Sequence, residues 1–252
     1  MTVQTKIEAG IAEIVMDYPP VNALPVQGWM DVANALNALA SEQSVRVAMI
    51  RSEGRGFNAG VDIKELQQDS GHQSLIKVNQ ACYAAFEAVY RCAVPVVAVV
   101  HGFCLGGGIG LVGNADVIIA SEDAYFGLPE VDRGALGAAT HLSRLVPPHK
   151  LRAMVYSAEP ISAKELWRLG SVEKLVPQEE LLETAKSWAE RVAAKSPVVI
   201  RAAKQALNGI DPMDVNKSYR FEQGFTYELT LAGVADEART AFVEKREAEF
   251  KE

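Results

Sequence analysis

Two glycine-punctuated loops, each directly after a strand of buried type, constrain this chain most. Val45 to Arg51 runs into Ser52-Glu53-Gly54-Arg55-Gly56-Phe57-Asn58-Ala59-Gly60, and Pro95 to Val100 runs into His101-Gly102-Phe103-Cys104-Leu105-Gly106-Gly107-Gly108. Strands of this buried, β-branched type alternating with helical segments give an α/β organisation with repeated turns of a similar plan. The helices are legible: Leu75, Val78, Cys82, Ala85 and Val89 recur at helical spacing after the first loop, and Ile109 to Val112 opens a short helix after the second. Glycine permits positive φ and close approach of the main chain to a ligand, and a helix that starts there leaves its first N–H groups without acceptors. Two such loops brought together present a pair of bare donors, the layout of an oxyanion hole.

The remaining sequence extends this α/β plan. Thr5 to Glu8 and Ile11 to Asp17 flank Ala9-Gly10 as a hairpin, and Trp29, Val32, Ala33, Leu36 and Leu39 mark a helix beyond the proline turn at Tyr18 to Leu24. Val117 to Ala120 resumes strand character. After Pro147 helical patterns dominate, interrupted by the strand-like Ser171 to Val176, with Pro177, Pro197 and Pro212 at expected helix starts. The apolar tail residues Phe221, Phe225, Leu229, Phe242 and Phe250 require a surface to cover them, on the core or on another subunit.

Several function classes are disfavoured. The Gly106-Gly107-Gly108 run lacks both the Gly-x-Gly-x-x-Gly frame and a following Gly-Lys-Ser/Thr, so a dinucleotide or phosphate loop is a poor reading. A net charge of -7 without gathered cations argues against nucleic acid, and no apolar run reaches membrane-spanning length. Cys82, Cys92 and Cys104 have no Cys-x-x-Cys spacing and read as reduced core thiols. With no signal-peptide core at the N-terminus, a cytoplasmic protein is expected, with no nucleic-acid or membrane partner and no metal. Glu130 follows Pro129 behind the apolar Tyr125-Phe126-Gly127-Leu128, which suits a half-buried carboxylate of raised pKa acting as base or acid. Taken alone, a loop glutamate is more readily a surface residue.

The motif order supplies the missing context. Pro20-Val21-Asn22-Ala23-Leu24, Ala59-Gly60-Val61-Asp62-Ile63-Lys64, Gly106-Gly107-Gly108, Phe126-Gly127-Leu128-Pro129-Glu130 and Phe242-Val243-Glu244-Lys245-Arg246 together resemble the crotonase (enoyl-CoA hydratase/isomerase) superfamily over nearly the whole chain. The resemblance implies a spiral core of strand-strand-helix turns over residues 1–195, and a helical C-terminal segment over 196–252 that builds a trimer or a dimer of trimers. It implies an acyl-CoA thioester substrate, with CoA belonging to the substrate and no separate cofactor. It also implies that the Val61 and Gly107 N–H groups bind the thioester oxygen and that Glu130 moves protons. Ala23, Ala59, Asp62, Ile63, Lys64 and Gly106 would contact substrate, Lys64 near the adenosine phosphates, and Lys245 would reach CoA from a neighbouring subunit.

The departures from that family set the expected reaction. Gly110 stands where a hydratase carries its second glutamate, so addition of water to a linear enoyl-CoA is poorly supported. Gly137 replaces a usual proline, Thr140 and His141 replace glycines at the next helix start, and Asp132 and Arg133 add polar groups, which makes Asp132 and His141 further catalytic candidates. The segments Glu130 to Arg144 and Ser218 to Thr226 are similar to a branch of the family that hydrolytically opens a ring of a methyl-dioxo-hexahydroindene carboxyl-CoA in cholesterol catabolism. One base and one oxyanion hole suffice for that reaction. An enoyl-CoA isomerase or hydratase, and a catalytically silent acyl-CoA-binding protein, are the alternatives.

Overall fold

A computed structural model describes residues 1–68, 72–244 and 246–249. The chain opens with β1 (Thr2–Glu8) and β2 (Ile11–Asp17), an antiparallel hairpin whose turn places Ala9 and Gly10 at positive φ. Next come α1 (Val26–Ala38), β3 (Val47–Ser52), α2 (Ile63–Gln68) and α3 (His72–Tyr90). They are followed by β4 (Val96–Val100), β5 (Phe103–Leu105), α4 (Gly107–Val112), β6 (Val117–Ser121) and β7 (Tyr125–Gly127). A 3-10 turn at Val131–Arg133 leads to α5 (Ala139–Leu142), α6 (Pro148–Ser157), the two-residue β8 (Ile161–Ser162), α7 (Ala163–Leu169) and β9 (Lys174–Val176). The C-terminal part is helical: α8 (Leu181–Ala193), α9 (Pro197–Ile210), α10 (Val215–Leu231) and α11 (Val234–Glu244).

The larger sheet has the order β1-β2-β3-β4-β6-β9, parallel from β2 onward, and its central strands are apolar on both faces for a visible reason. Ala48, Ile50, Val96, Ala98, Val100, Ile118 and Ala120 face the main core with α1 and α3, while Val47, Met49, Val97, Val99 and Ile119 face Leu181, Ala185 and Ala189 of α8. The period of two is present, but both sets are buried, so it does not appear as polar alternation.

The smaller sheet, β5-β7-β8, carries the main difference from expectation. Phe103 to Leu105 lies in the segment expected to be loop, yet it pairs in parallel with β7. Three residues between glycines give too short a pattern to read. The bridge Asn58↔Cys104 adds the first glycine loop to this layer, and the bridge Leu24↔Val61 adds the proline turn. Each turn of the chain thus runs through a long strand in one sheet, a short strand or single bridge in the other, and then a helix. Stacking the short segments sets the two glycine loops side by side.

Proline behaves as expected at Pro197, which opens α9, and at Pro177, which precedes a 3-10 turn leading into α8. Pro212 does not start a helix: α10 begins at Val215, with the Asp214 side chain accepting from Lys217 N at 3.0 Å. Among the described residues no helix is long and apolar enough to cross a membrane.

Candidate active site

Two buried asparagines fix the first glycine loop. Asn22 Oδ1 accepts from Tyr18 N (2.8 Å), and its amide donates to Glu53 O (2.7 Å) and Gly56 O (2.9 Å). Asn58 donates to Asn22 O (2.6 Å) and accepts from Gly60 N (2.8 Å), while Leu105 N donates to Asn58 O (2.8 Å). These bonds satisfy polar side chains that are buried, Asn22 at 2% and Asn58 at 0% exposure, and tie the turn to both neighbouring loops. The Glu65 carboxylate adds a clamp by accepting from Val26 N at 2.7 Å.

The donors follow from this frame. In the parallel bridge Leu24 N donates to Gly60 O (2.9 Å) and Asp62 N donates to Leu24 O (3.0 Å), so the Val61 N–H between them faces away from the ladder. Gly107 is the first residue of α4, and its N–H has no acceptor within the helix. The two loops touch: a Cβ added to Gly60 would lie 3.3 Å from Gly107 N. Gly106, at φ +56 and ψ -119, makes the bend that turns β5 into α4.

Val61 and Gly107 line a cavity that encloses about 150 Å³ of water-accessible space, and Ala59, Ile63, Gly106 and Glu130 share its wall. The Glu130 carboxylate stands over the second loop, with Oε1 2.7 Å from where a Cβ on Gly106 would be. Its Oε2 is buried without a hydrogen-bond partner among the described residues. Burial pushes its pKa up to about 8; a backbone hydrogen bond and Arg133 oppose the shift, and Glu222 adds to it. A carboxyl group poised in this way moves a proton near neutral pH.

The far wall comes from α3 and α10. Leu75, Val78, Asn79, Cys82 and Phe86 of α3 line the cavity, opposite Tyr219 and Thr226 of α10. Glu222 Oε1 accepts from Ala139 N (2.7 Å) and Oε2 from Thr140 N (2.8 Å), holding the start of α5 with a carboxylate. Thr226 Oγ1 donates to Leu136 O at 2.5 Å, and Gln223 Nε2 donates to Asn79 O at 2.9 Å. Helix α10 therefore fixes both the loop after Glu130 and α3.

The other sequence candidates sit as follows. Arg133 lines the cavity; Asp132 and His141 do not. Asp132 is exposed. His141 lies one layer behind the wall, its ring 5.0 Å from Phe86 and 4.7 Å from Tyr219, and burial lowers its pKa to about 3, so the imidazole is neutral. The structure thus does not bring these two to the carboxylate. Ala23 does not line the cavity, and Asp62 lies between the lining residues Val61 and Ile63 without lining it; Asp62 Oδ1 accepts from Lys64 N at 3.0 Å, and Lys64 is exposed. Lys245 lies outside the described residues.

Asn79, Tyr219 and Glu222 were not legible as site residues, although Asn79 carried a signal: it is the polar residue on the otherwise apolar face of α3. At Gly110 a side chain has no room, because a Cβ there would lie within 2.5 Å of three ring carbons of Phe86. The space that a second glutamate would need is filled by an aromatic ring. Among the described residues there is no cluster of metal-ligating side chains.

A cavity lined by two glycine loops whose Val61 and Gly107 N–H groups are left out of the ladder and the helix, with a buried glutamate beside them, is a crotonase-type site set in stacked strand-strand-helix turns. The chain belongs to the Enoyl-CoA hydratase/isomerase family, whose model matches residues 6–252. It is 59% identical over 241 residues to the (7aS)-7a-methyl-1,5-dioxo-2,3,5,6,7,7a-hexahydro-1H-indene-carboxyl-CoA hydrolase of Mycobacterium tuberculosis, covering 96% of this chain and 98% of that one. Identity to the hydrolase of the same name from Rhodococcus jostii is also 59%, over 93% of this chain and 91% of that one. An enoyl-CoA hydratase/isomerase structure from Pseudoalteromonas atlantica superposes with a TM-score of 0.88 over all of both chains at 22% identity, a likeness of fold alone.

Proposed function

We propose that this protein hydrolyses a carbon-carbon bond in the ring of a bicyclic dioxo acyl-CoA, the substrate named for the two relatives at 59% identity. The observation that carries this reading is Glu130, the one carboxylate among the described residues that line the cavity, beside the loops of Val61 and Gly107, with Phe86 against the position where a hydratase would need a second carboxylate. Glu130 removes a proton from water as the water attacks the ring ketone next to the quaternary carbon. When the bond between those two carbons breaks, its electron pair passes through the adjoining double bond to the thioester oxygen, where the Val61 and Gly107 N–H groups receive the charge. Glu130 then returns its proton to carbon. Water has supplied the hydroxyl of the new carboxylic acid and the hydrogen of the new C–H bond, and no cofactor enters.

An enoyl-CoA isomerase is the second reading, since one carboxylate above the same donors also serves a proton shuttle. Incubating the protein with the bicyclic dioxo thioester and, separately, with a 3-enoyl-CoA tests the choice. Ring-opened acid from the first substrate is expected; turnover of the linear substrate alone would sink the hydrolase reading.

We further propose a homotrimer, alone or stacked in pairs, working in the cytoplasm, where its three buried free thiols stay reduced. Supporting the assembly, α9 and α10 leave Val198, Ile210, Phe221 and Leu231 more than 70% exposed on the single chain. Lys64 would then lie near the adenosine phosphates, and Lys245 from a neighbouring subunit would contact CoA. Light scattering is expected to give a mass of three or six chains; a stable monomer at micromolar concentration would overturn the assembly and the role of Lys245.

A further inference from the structure

The ring-opening reading contains a second developing anion that Val61 and Gly107 do not serve. Water attacks a ketone on the five-membered ring, and that ketone oxygen becomes an alkoxide before any charge reaches the thioester. Both oxygens belong to one rigid bicycle, so donors held at one end cannot also bond the other. An alkoxide formed in a cavity walled mostly by apolar side chains needs a donor of its own.

Among the described residues that line the cavity, two side-chain atoms are buried without a partner: Glu130 Oε2, an acceptor, and Asn79 Nδ2, a donor. An unpartnered buried amide is costly, and it calls for a partner that the protein side chains do not supply, such as a ligand atom or an ordered water. Asn79 is 91% buried, with 9% relative exposure, and stands on the cavity face of α3 one turn from Cys82. Cys82 in turn feels the charge of Glu130, whose proximity adds to the effect of burial in raising the thiol's pKa. The main chain at Asn79 is pinned by Gln223 Nε2 at 2.9 Å, so the amide projects from a fixed point.

An acceptor for the water proton and a donor for the ketone oxygen are the two groups that hydration of a carbonyl requires. We propose that Asn79 is a catalytic residue of the ring-opening step, its amide N–H binding the ring-ketone oxygen and stabilising the alkoxide formed when Glu130 activates water. The inference rests on the ring-opening reading above. In the first half of the step, oxygen of water bonds the ketone carbon, one water proton goes to Glu130, and the carbonyl pair moves onto the oxygen held by Asn79. In the second half that pair re-forms the carbonyl as the carbon-carbon bond breaks, and Asn79 is left bonded to the carbonyl of the new acid. A linear 2-enoyl-CoA has no carbonyl at that position, so Asn79 also distinguishes a keto-bicyclic acyl group from a simple chain.

The test compares wild-type protein with Asn79→Leu, which keeps volume and removes the donor, and Asn79→Asp, which keeps shape and presents an acceptor. Turnover of the dioxo thioester is measured together with binding of an analogue in which the five-membered-ring ketone is a methylene. We expect kcat to fall roughly 10²- to 10³-fold in Asn79→Leu and at least as far in Asn79→Asp, with Kd for the methylene analogue within about twofold of wild type. If the wild-type protein opens the ring and Asn79→Leu does so within about threefold of it, the role of Asn79 is overturned while the hydrolase reading stands. Loss of analogue binding by the same factor as turnover would also overturn it, by showing a structural role. A wild-type protein that leaves the dioxo thioester intact defeats the hydrolase reading itself, and the role of Asn79 with it.

Discussion

Glu130→Gln is expected to lower ring-opening turnover roughly 10²- to 10⁴-fold, the usual weight of a positioned general base, while CoA-ester binding persists. The amide keeps the shape of the carboxylate and cannot take a proton. In the wild-type protein the ionised carboxylate is the active form, and burial holds its pKa at about 8. The logarithm of kcat/KM should therefore rise with pH up to about 8 and then level off. A flat profile through that range, or unchanged turnover in the variant, would remove Glu130 from the mechanism.

The same group has a stability consequence of definite sign. Below its ordinary value of 4.5 the carboxyl is neutral in both the folded and the unfolded chain. Between 4.5 and about 8 the unfolded chain releases the proton and the folded site keeps it, so this group's contribution to stability falls as pH rises through that window. Glutamine has no such titration. Melting curves should show the variant gaining on wild type from pH 5 to 8, the pattern of a site that gives up stability for chemistry.

Gly106→Ala is the second large effect, for two separable reasons. At φ +56 and ψ -119 an alanine is strained, by about 1–3 kcal/mol. Its Cβ would also lie 2.7 Å from Glu130 Oε1, so the carboxylate must move off its position. A displacement of the base on the scale of an ångström costs on the order of 10²-fold in rate. Gly54→Ala separates the two causes: Gly54 is at φ +84 but a Cβ there meets nothing within 4 Å. Both variants should melt at lower temperature, and only Gly106→Ala should lose kcat. Equal turnover in the two variants would show that the contact with Glu130 does not matter.

What could be read in advance followed chain-local physics. The buried strands, the helices after each glycine loop and the exposed loop donors are consequences of burial and glycine spacing within a few residues, and they appear as β3, β4, α3 and α4. The three-residue β5 was missed because its pairing partner lies more than twenty residues away and leaves no local pattern. For the site, Val61, Gly107 and Glu130 belong to the short loops and meet at one cavity. The place of His141 was not legible, because a polar residue near a helix start reads as a candidate while its ring packs in the Phe86 and Tyr219 cluster through tertiary contacts. Asn79 and Glu222 reach their places only through the docking of α10, which no spacing along the chain encodes.

Helix α10 is amphipathic in the opposite sense from a surface helix. Tyr219, Glu222, Gln223, Thr226 and Thr230 are buried, while Phe221 is 73% and Leu231 is 71% exposed. Its polar side is committed to Ala139, Thr140, Leu136 and Asn79, so the helix cannot rotate to hide its aromatic rings without releasing the cavity wall. Whatever covers those rings acts on the same helix that braces the substrate cavity from within. Any coupling between covering the outer side and filling the inner one is then carried by this helix, and it is reciprocal: each changes the affinity of the other by the same factor.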